Sequence, residues 1–216
     1  MIFEDFKKTA IDEISTLQEK FIKTYNLYSY EEYYYDHGLG IFEFKSEEKH
    51  LYFRYVDVGS FSNNTQTWNW SWNNEDTPFT AEKGMESVKL FAQDHDFELM
   101  TTGLINGDGH TGWEMTAITC KLLNGIGIYK VPDEHLEVFF VFTEELQEEE
   151  FKSLKQKYVS CGAHGSRRRA FICQHLSKEK LTGFHETFPS YSDADEQDDS
   201  QAWCDACEQV RIRDDG

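Results

Sequence analysis

The chain has 216 residues, of which 39% are hydrophobic and 15% aromatic, and its formal net charge is −19. This length and apolar content allow a buried core and exclude an intrinsically disordered chain, despite the high charge. A surface this negative repels phosphate backbones at long range, which disfavours nucleic-acid binding and favours a basic protein partner.

The negative charge is concentrated in the first three quarters of the chain. Residues 1–160 hold 14 Lys and Arg against 29 Asp and Glu, whereas residues 161–216 hold 7 against 11. The amino terminus lacks the basic region of a signal peptide, and the longest dense apolar run, residues 138–142, is only strand-sized. We therefore expect a cytoplasmic protein without a membrane-spanning segment.

Hydrophobic periodicity predicts an amphipathic helix followed by antiparallel strands. Apolar residues recur at three- and four-residue steps over residues 4–26, which predicts the helix. Alternation begins near residues 28–45 and continues over residues 51–61 and 67–72, with a turn-prone Ser62-Asn-Asn between the last two.

Three tryptophans lie on the last of these predicted strands. Side chains alternate across a strand, so Trp68, Trp70 and Trp72 are predicted to share one face. We favour a sheet face covered by a helix over an exposed aromatic binding surface.

The remainder of the first 158 residues is predicted to mix short helices and strands. The patterns indicate, in chain order, a helix from Thr77-Pro78 to His95, a strand over 97–100, a turn over 106–109, a helix over 111–123, strands over 126–131 and 136–142, and a helix over 144–158.

Four of the five cysteines cluster with histidines in the last third of the chain, while Cys120 stands alone. In a reducing compartment this pattern favours a metal over disulfides. Cys204 and Cys207 form a Cys-x-x-Cys pair that can present two thiolates to one tetrahedral Zn²⁺. A redox role for this pair is the lesser reading, since it would require a helix start directly after a strand.

Two other pairs could complete the coordination sphere. Cys161 and His164 precede Gly165, whereas Cys173 and His175 are two residues apart on a predicted strand and would face the same side. Spacing does not choose between these pairs, and two ions that share six or more ligands, with His185 among them, remain open. Four protein ligands leave no position for an activated water, so we predict a structural zinc.

Three runs in the body resemble an uncharacterised bacterial domain family over roughly residues 20–143. Its signature is Trp-x-Trp-x-Trp-x-Asn, then a Gly-Trp-Glu-Met-Ala helix and a Gly-x-Tyr-Arg-x-Pro strand. The matching runs here begin at Trp68, Gly112 and Gly125, with Lys130 in place of the frequent arginine. The resemblance implies a folded unit and no particular activity.

The last third of the chain resembles a zinc-binding extension of bacterial proteins. Its pattern of Cys-x-x-His-Gly, Cys-x-His-Leu, Gly-Phe-His and Trp-Cys-x-x-Cys-Glu matches runs that contain Cys161, Cys173, His185 and Cys204. Some members of this group look like toxin-neutralising or immunity-type proteins, so the resemblance suggests an immunity-type role.

Other polar groups support weaker alternatives. His95 lies between Asp94 and Asp96, and His110 precedes Glu114 by four residues, so a metal-dependent hydrolase-like enzyme could use this region. Arg167, Arg168 and Arg169 form the strongest basic cluster and could contact a nucleic acid, although an acidic loop over residues 193–199 lies nearby in the sequence. Solvated surface residues are the simpler interpretation of both.

Together these patterns predict an α+β fold in which helices cover an antiparallel sheet, with a small carboxyl-terminal zinc-binding extension. The expected domains are an α+β body over residues 1–158 and a zinc-binding tail over 159–216. We expect a non-enzymatic, acidic protein-binding protein, an immunity-type inhibitor whose partner is a basic toxin. The predicted metal ligands are drawn from Cys161, His164, Cys173, His175, Cys204 and Cys207.

Overall fold

The computed structural model describes residues 2–74, 79–161, 165–168, 170–176, 184–187 and 200–214. The chain divides into two compact units, Met1–Leu154 and Lys155–Gly216, which we call the body and the tail.

The described part of the chain contains six α-helices and twelve strands. The helices are α1 (Phe3–Tyr25), α2 (Phe79–Asp94), α3 (Glu98–Thr101), α4 (Thr111–Leu122), α5 (Glu148–Gln156) and α6 (Asp205–Asp214). The strands of the body are β1 (Glu32–Asp36), β2 (Ile41–Lys45), β3 (His50–Ser62), β4 (Thr67–Trp70), β5 (Leu104–Asn106), β6 (Gly127–Val131) and β7 (Leu136–Leu146).

The seven strands of the body form one sheet, and all of its pairings are antiparallel, so the mixed α+β class with a mostly antiparallel sheet is confirmed. Strand β3 organises it. One edge of β3 pairs first with β2 and then with β4, while β7 runs along the other edge. The register with β7 shifts between Asp57 and Gly59, which bends β3 where its partner changes. Gly59 is required there, because a Cβ would lie 2.3 Å from the Asn69 carbonyl oxygen.

Helices α1, α2 and α4 contribute to the larger core of the body. Trp68 and Trp70 are fully buried against Met85 of α2, Ile118 of α4 and Phe139 of β7. The covered-face interpretation is therefore confirmed for these two indoles. Trp72 is different: the strand ends at Trp70, and Trp72 lies in a 3-10 turn with its ring stacked on Trp70 at 4.6 Å.

A second core is built almost entirely from aromatic rings, and we call it the aromatic core. Phe42, Phe53, Phe140 and Phe142 are fully buried in it, and Phe21 of α1 packs against two of them. The rings of Tyr33 on β1 and Tyr129 on β6 lie 5.9 Å apart, although these strands are far apart in the strand order. The sheet therefore curls around these rings like an open barrel.

Helix α1 also covers the exposed edge of β6. The Gln18 side-chain amide donates a hydrogen bond to the Ile128 carbonyl oxygen at 2.9 Å, and the Ile128 amide donates to Gln18 Oε1 at 3.0 Å. The Gln18 side chain thus makes the two hydrogen bonds that a neighbouring strand would make, one to the backbone N–H and one to the backbone carbonyl of Ile128. Such cover removes a site at which another chain could add a strand.

Two sequence predictions about elements were wrong, and a third is not tested. Residues 97–100 are not a strand: α3 begins at Glu98, and Phe97 and Met100 are both buried, which is helical spacing, while the strand follows at β5. Helix α5 begins at Glu148 because β7 continues to Leu146, and Tyr158 already belongs to a strand. The predicted helix start at Thr77-Pro78 lies outside the described residues.

The described part of the tail consists of short strands and one helix. Strands β8 (Tyr158–Cys161) and β9 (Gly165–Arg168) form a hairpin, while β12 (Ser200–Cys204) lies between β10 (Ala170–Ile172) and β11 (Phe184–Glu186). The pairing of β10 with β12 is parallel. In the described ranges of the whole chain, none of the helices has the length and apolar character that crossing a bilayer requires.

Candidate metal centre

Four predicted ligands of the tail converge on one point. Single ligand atoms of Cys173, His175, Cys204 and Cys207 all lie within 4.8 Å of one another. His175 Nδ1 lies 3.2 Å from Cys207 Sγ. Three sulfurs and one imidazole nitrogen in this arrangement could hold a metal ion.

The parallel pairing of β10 with β12 brings the first two ligands to the other two. Ile172 pairs with Ala202, and the Cys173 amide donates a hydrogen bond to the Ala202 carbonyl oxygen at 3.0 Å. Strand β10 ends at Ile172, so the prediction that Cys173 and His175 lie on a strand was wrong. Both lie in a turn, which the Leu176 amide closes on the Cys173 carbonyl oxygen at 3.1 Å.

Cys204 and Cys207 lie where strand β12 passes directly into helix α6. Cys204 is the last residue of the strand and is buried, and Cys207 lies in the first turn of the helix. A helix amino terminus stabilises a thiolate because the backbone amides there point towards it. This is also the strand-to-helix context that a redox pair requires, so the two cysteines alone do not distinguish redox chemistry from metal binding.

Backbone amides stabilise the negative charge of one sulfur in particular. Desolvation opposes ionisation of the Cys173 thiol, but hydrogen bonds from the amides of Cys204, His175 and Leu176 lower its pKa to about 6. The Cys204 amide lies 3.4 Å from Cys173 Sγ. Desolvation and the two neighbouring cysteines raise the pKa of Cys207 to about 11. A divalent cation would allow all three sulfurs to be thiolates together.

Hydrogen bonds and ion pairs connect the side chains near Cys204 and Cys207. Glu208 accepts hydrogen bonds from Trp203 Nε1 at 2.5 Å and from Arg211 Nη2 at 2.8 Å, and these partners lower its pKa to about 2. His185 Nε2 lies 2.9 Å from Asp205 Oδ1, and the imidazole stacks on Trp203. In the described part of the tail, His185 is thus a neighbour of the cluster and not one of its four members.

The other predicted ligand pair falls at the edge of the described residues. Cys161 ends β8 and pairs with Gly165 of β9 across the hairpin, but its side chain and the whole of His164 lie outside the described residues. The fifth cysteine, Cys120, is buried in the body.

The basic cluster of the tail is only partly described. The backbones of Arg167 and Arg168 belong to β9, opposite Val159 and Tyr158 of β8. Arg169 and the acidic loop over residues 193–199 lie outside the described residues.

His95 and His110, the histidines of the alternative enzyme hypothesis, each make a hydrogen bond within their own segment. His95 Nδ1 lies 3.0 Å from the Phe91 carbonyl oxygen, and its ring stacks on Phe91 at 4.1 Å. His110 immediately precedes α4, and its amide donates a hydrogen bond to Asp108 Oδ1 at 2.9 Å. The Glu114 carboxylate lies 3.6 Å from Lys7 Nζ.

A group of titratable residues on β1, the turn that follows it, and β3 was not singled out in the sequence. Tyr35, His37, Tyr55 and Asp57 lie together at one end of the aromatic core, with Tyr55 Oη 3.1 Å from His37 Nδ1. One feature of the sequence could have identified this group. Asp57 follows the buried Phe53 and Tyr55 at two-residue steps, so its carboxyl group is expected on the same, buried face of the strand.

Comparison with known proteins places the body in a family. No curated protein and no solved structure matches the chain. The model of one family matches residues 4–145, which is most of the body and excludes all four residues of the cluster. This agrees with the expected uncharacterised domain, and the match covers more than half of the chain. The chain therefore belongs to DUF6882, a family of unknown function.

Proposed function

We propose that the tail binds one Zn²⁺ through Cys173, His175, Cys204 and Cys207, and that the metal holds the tail together. The observation that carries this proposal is the convergence of four soft or borderline ligand atoms within 4.8 Å. Tetrahedral zinc with bonds of 2.0 to 2.3 Å places its ligand atoms about 3.5 to 3.8 Å apart, so small adjustments complete the site.

The convergence of four residues favours a metal over redox chemistry. A redox pair uses two cysteines, and neither a third thiol nor an imidazole is needed beside them. Here Cys173 and His175 approach from a separate segment, and His175 Nδ1 lies 3.2 Å from Cys207 Sγ. Four protein ligands fill a tetrahedral sphere, so the proposed role of the zinc is structural.

Elemental analysis of the purified chain tests the site. We expect one zinc per chain, and Co²⁺ in its place should give the absorption of a tetrahedral three-sulfur centre. Cys204→Ser should lower the zinc content to well below one half. The matched control is Cys120→Ser, which removes a thiol outside the cluster and should leave the zinc content at one. A metal-free native chain with a disulfide between Cys204 and Cys207 would instead support the redox alternative.

We propose further that the body is a non-enzymatic protein-binding unit for a basic partner, as in an immunity-type inhibitor that neutralises a bacterial toxin. The 29 acidic residues against 14 basic ones in residues 1–160 support it. Such an excess speeds association with a basic protein by electrostatic steering. The first turn of α5 adds Glu148, Glu149 and Glu150 in succession.

Co-purification with the product of a neighbouring toxin gene tests this function. We expect a complex whose association rate falls steeply as the salt concentration rises, because exposed charges are screened beyond about 10 Å at 0.1 M ionic strength. Cells that express the chain should survive that toxin. Failure to protect against any neighbouring toxin would contradict the immunity-type role.

A further inference from the structure

Three aromatic rings at one end of the aromatic core meet at steep angles. The rings of Tyr35 and His37 lie 5.1 Å apart at 85°, those of Tyr35 and Tyr55 lie 6.4 Å apart at 88°, and those of His37 and Tyr55 lie 6.2 Å apart at 70°. They come from strand β1, the turn that follows it, and strand β3. Ring faces in several orientations around one point are the arrangement with which proteins surround organic cations.

Asp57 lies on the same face of β3 as Tyr55 and pairs with Phe140, whose ring centroid lies 5.1 Å from that of Tyr35 and 5.0 Å from that of Tyr55. The Asp57 charge raises the pKa values of both tyrosines. Desolvation raises the pKa of Asp57 itself to about 7, although the Gly59 amide donates a hydrogen bond to it. Among the described residues, no ion pair involves Asp57, so its carboxylate lacks a cation, and the residue is half-buried at the end of the aromatic core.

The neighbouring groups add no positive charge. Desolvation lowers the pKa of His37, so its imidazole is neutral at pH 7. Asp36 contributes a second negative charge near Tyr55, and its Oδ1 accepts hydrogen bonds from the amides of Gly38 and Leu39, which fixes the turn that carries His37. Tyr55 is buried beneath the cluster, whereas His37 is exposed at its rim.

We propose, building on the protein-binding function above, that Tyr35, His37, Tyr55 and Asp57 form a recess that receives an arginine side chain of the basic partner. The planar guanidinium group stacks on aromatic faces and donates two parallel hydrogen bonds to a carboxylate, and it loses less hydration than an ammonium group does. The arginine would supply the cation that Asp57 lacks. It would also give the complex one specific contact in addition to the general attraction between an acidic and a basic protein.

Short peptides test the recess without a known partner. The probes are N-acetyl-Gly-Arg-Gly-amide and the same peptide with lysine or with citrulline, which keeps the shape of arginine without its charge. Nuclear magnetic resonance titration of the full chain should show saturable shifts of the Tyr35 and His37 ring signals with the arginine peptide. We expect weaker binding of the lysine peptide and no saturable shifts with the citrulline peptide.

Two matched variants complete the experiment. Asp57→Asn keeps the shape of the side chain. It should lower the affinity for the arginine peptide by about tenfold or more, because a charge-assisted hydrogen-bonded pair is lost. Asp12→Asn, an exposed residue of α1, makes the same change in net charge and should bind as the natural chain does. Circular dichroism spectra that match the natural chain would show that both variants are folded.

The outcomes separate the recess from the wider function. If the arginine peptide causes no saturable shift, or binds Asp57→Asn and the natural chain equally, the recess is refuted even where a basic protein partner binds. If the peptide binds as expected and no basic protein does, the recess stands and the protein-binding function fails. Equal binding of the arginine and citrulline peptides would also refute it, since no cation would then be recognised.

Discussion

The body and the tail are stabilised in different ways. All the largest fully buried side chains of the described residues, such as Trp68, Phe53 and Phe142, belong to the body. In the described part of the tail, Cys204 alone is buried, while Phe171 and Ile172 remain 59% and 64% exposed. Burial of apolar surface can therefore stabilise the body, whereas the described part of the tail buries little apolar surface.

The difference gives the proposed metal a role in stability. In the described part of the tail, the short strands and the helix bury too little apolar surface to offset the conformational entropy of ordering them. A metal that binds the folded tail and not the unfolded chain supplies that free energy directly.

Removal of the proposed zinc should unfold the tail and leave the body intact. Zinc binding to small structural sites contributes about 10 to 16 kcal/mol of apparent free energy, which such units use for folding. Hydrogen exchange after treatment with a strong chelator should show lost protection in β10, β12 and α6, with β3 and β7 unchanged. Retained protection of β12 in the metal-free chain would show that the tail does not depend on a metal.

Phe53→Ala should destabilise the body and leave the tail unchanged. Truncation of this fully buried ring should lower the free energy of unfolding of the body by about 3 to 5 kcal/mol, because it leaves a cavity among Phe44, Phe142 and Tyr25. The zinc content of the tail should not change. Tyr28→Ala, at a residue that is 87% exposed, is the control and should change the unfolding free energy by less than about 0.5 kcal/mol.

Asp57→Asn should change how the stability of the body depends on pH. The folded-state pKa of about 7 exceeds the ordinary value of 3.8. Between these values the folded body retains a proton that the unfolded chain has released. Stability from this group is therefore present below the ordinary value and is lost as pH rises through about 7. The asparagine variant avoids that loss.

Urea denaturation at a series of pH values measures this effect. The unfolding free energy of Asp57→Asn, relative to the natural chain, should rise by about 2 to 4 kcal/mol across the window. Tyr35 and Tyr55 stay neutral there because their pKa values are raised above 10. A constant difference between the two proteins would contradict the raised pKa. Asp12→Asn is again the control.

Gln18→Ala should have the smallest effect of the four. The substitution removes both hydrogen bonds to the backbone of Ile128 and uncovers the edge of β6. We expect a loss of about 1 to 2 kcal/mol in the unfolding free energy of the body. Glu19→Ala, at the exposed neighbouring position, should cost less than about 0.5 kcal/mol. Equal losses in the two variants would show that the edge contact contributes nothing.

Much of the fold could be predicted because local patterns and tertiary packing agree. Apolar spacing predicted α1 and α4 within two residues of their ends, and Asn124, with φ of 51°, ends α4 in the left-handed conformation that Asn-Gly favours. Residues 97–100 were mistaken for a strand because, in four residues, alternation and helical spacing both place apolar side chains at plausible positions.

The candidate metal centre was predictable in composition and not in geometry. Cysteine and histidine spacing identified all four members of the cluster among six candidates. The choice of Cys173 and His175 as partners depends on the parallel pairing of β10 with β12, which joins segments about thirty residues apart in the chain. Spacing within each segment contains no information about that pairing.

The sequence by itself determined the acidic charge, the α+β class, the principal apolar faces and the residue types able to bind a metal, because these depend on composition and short-range periodicity. The tertiary structure decided which two segments of the tail meet, how the sheet curls around the aromatic core, and that Asp57 lies near Tyr35 and Tyr55. Those features depend on strand pairing and on a bulge in β3, which bring together residues that no local pattern relates.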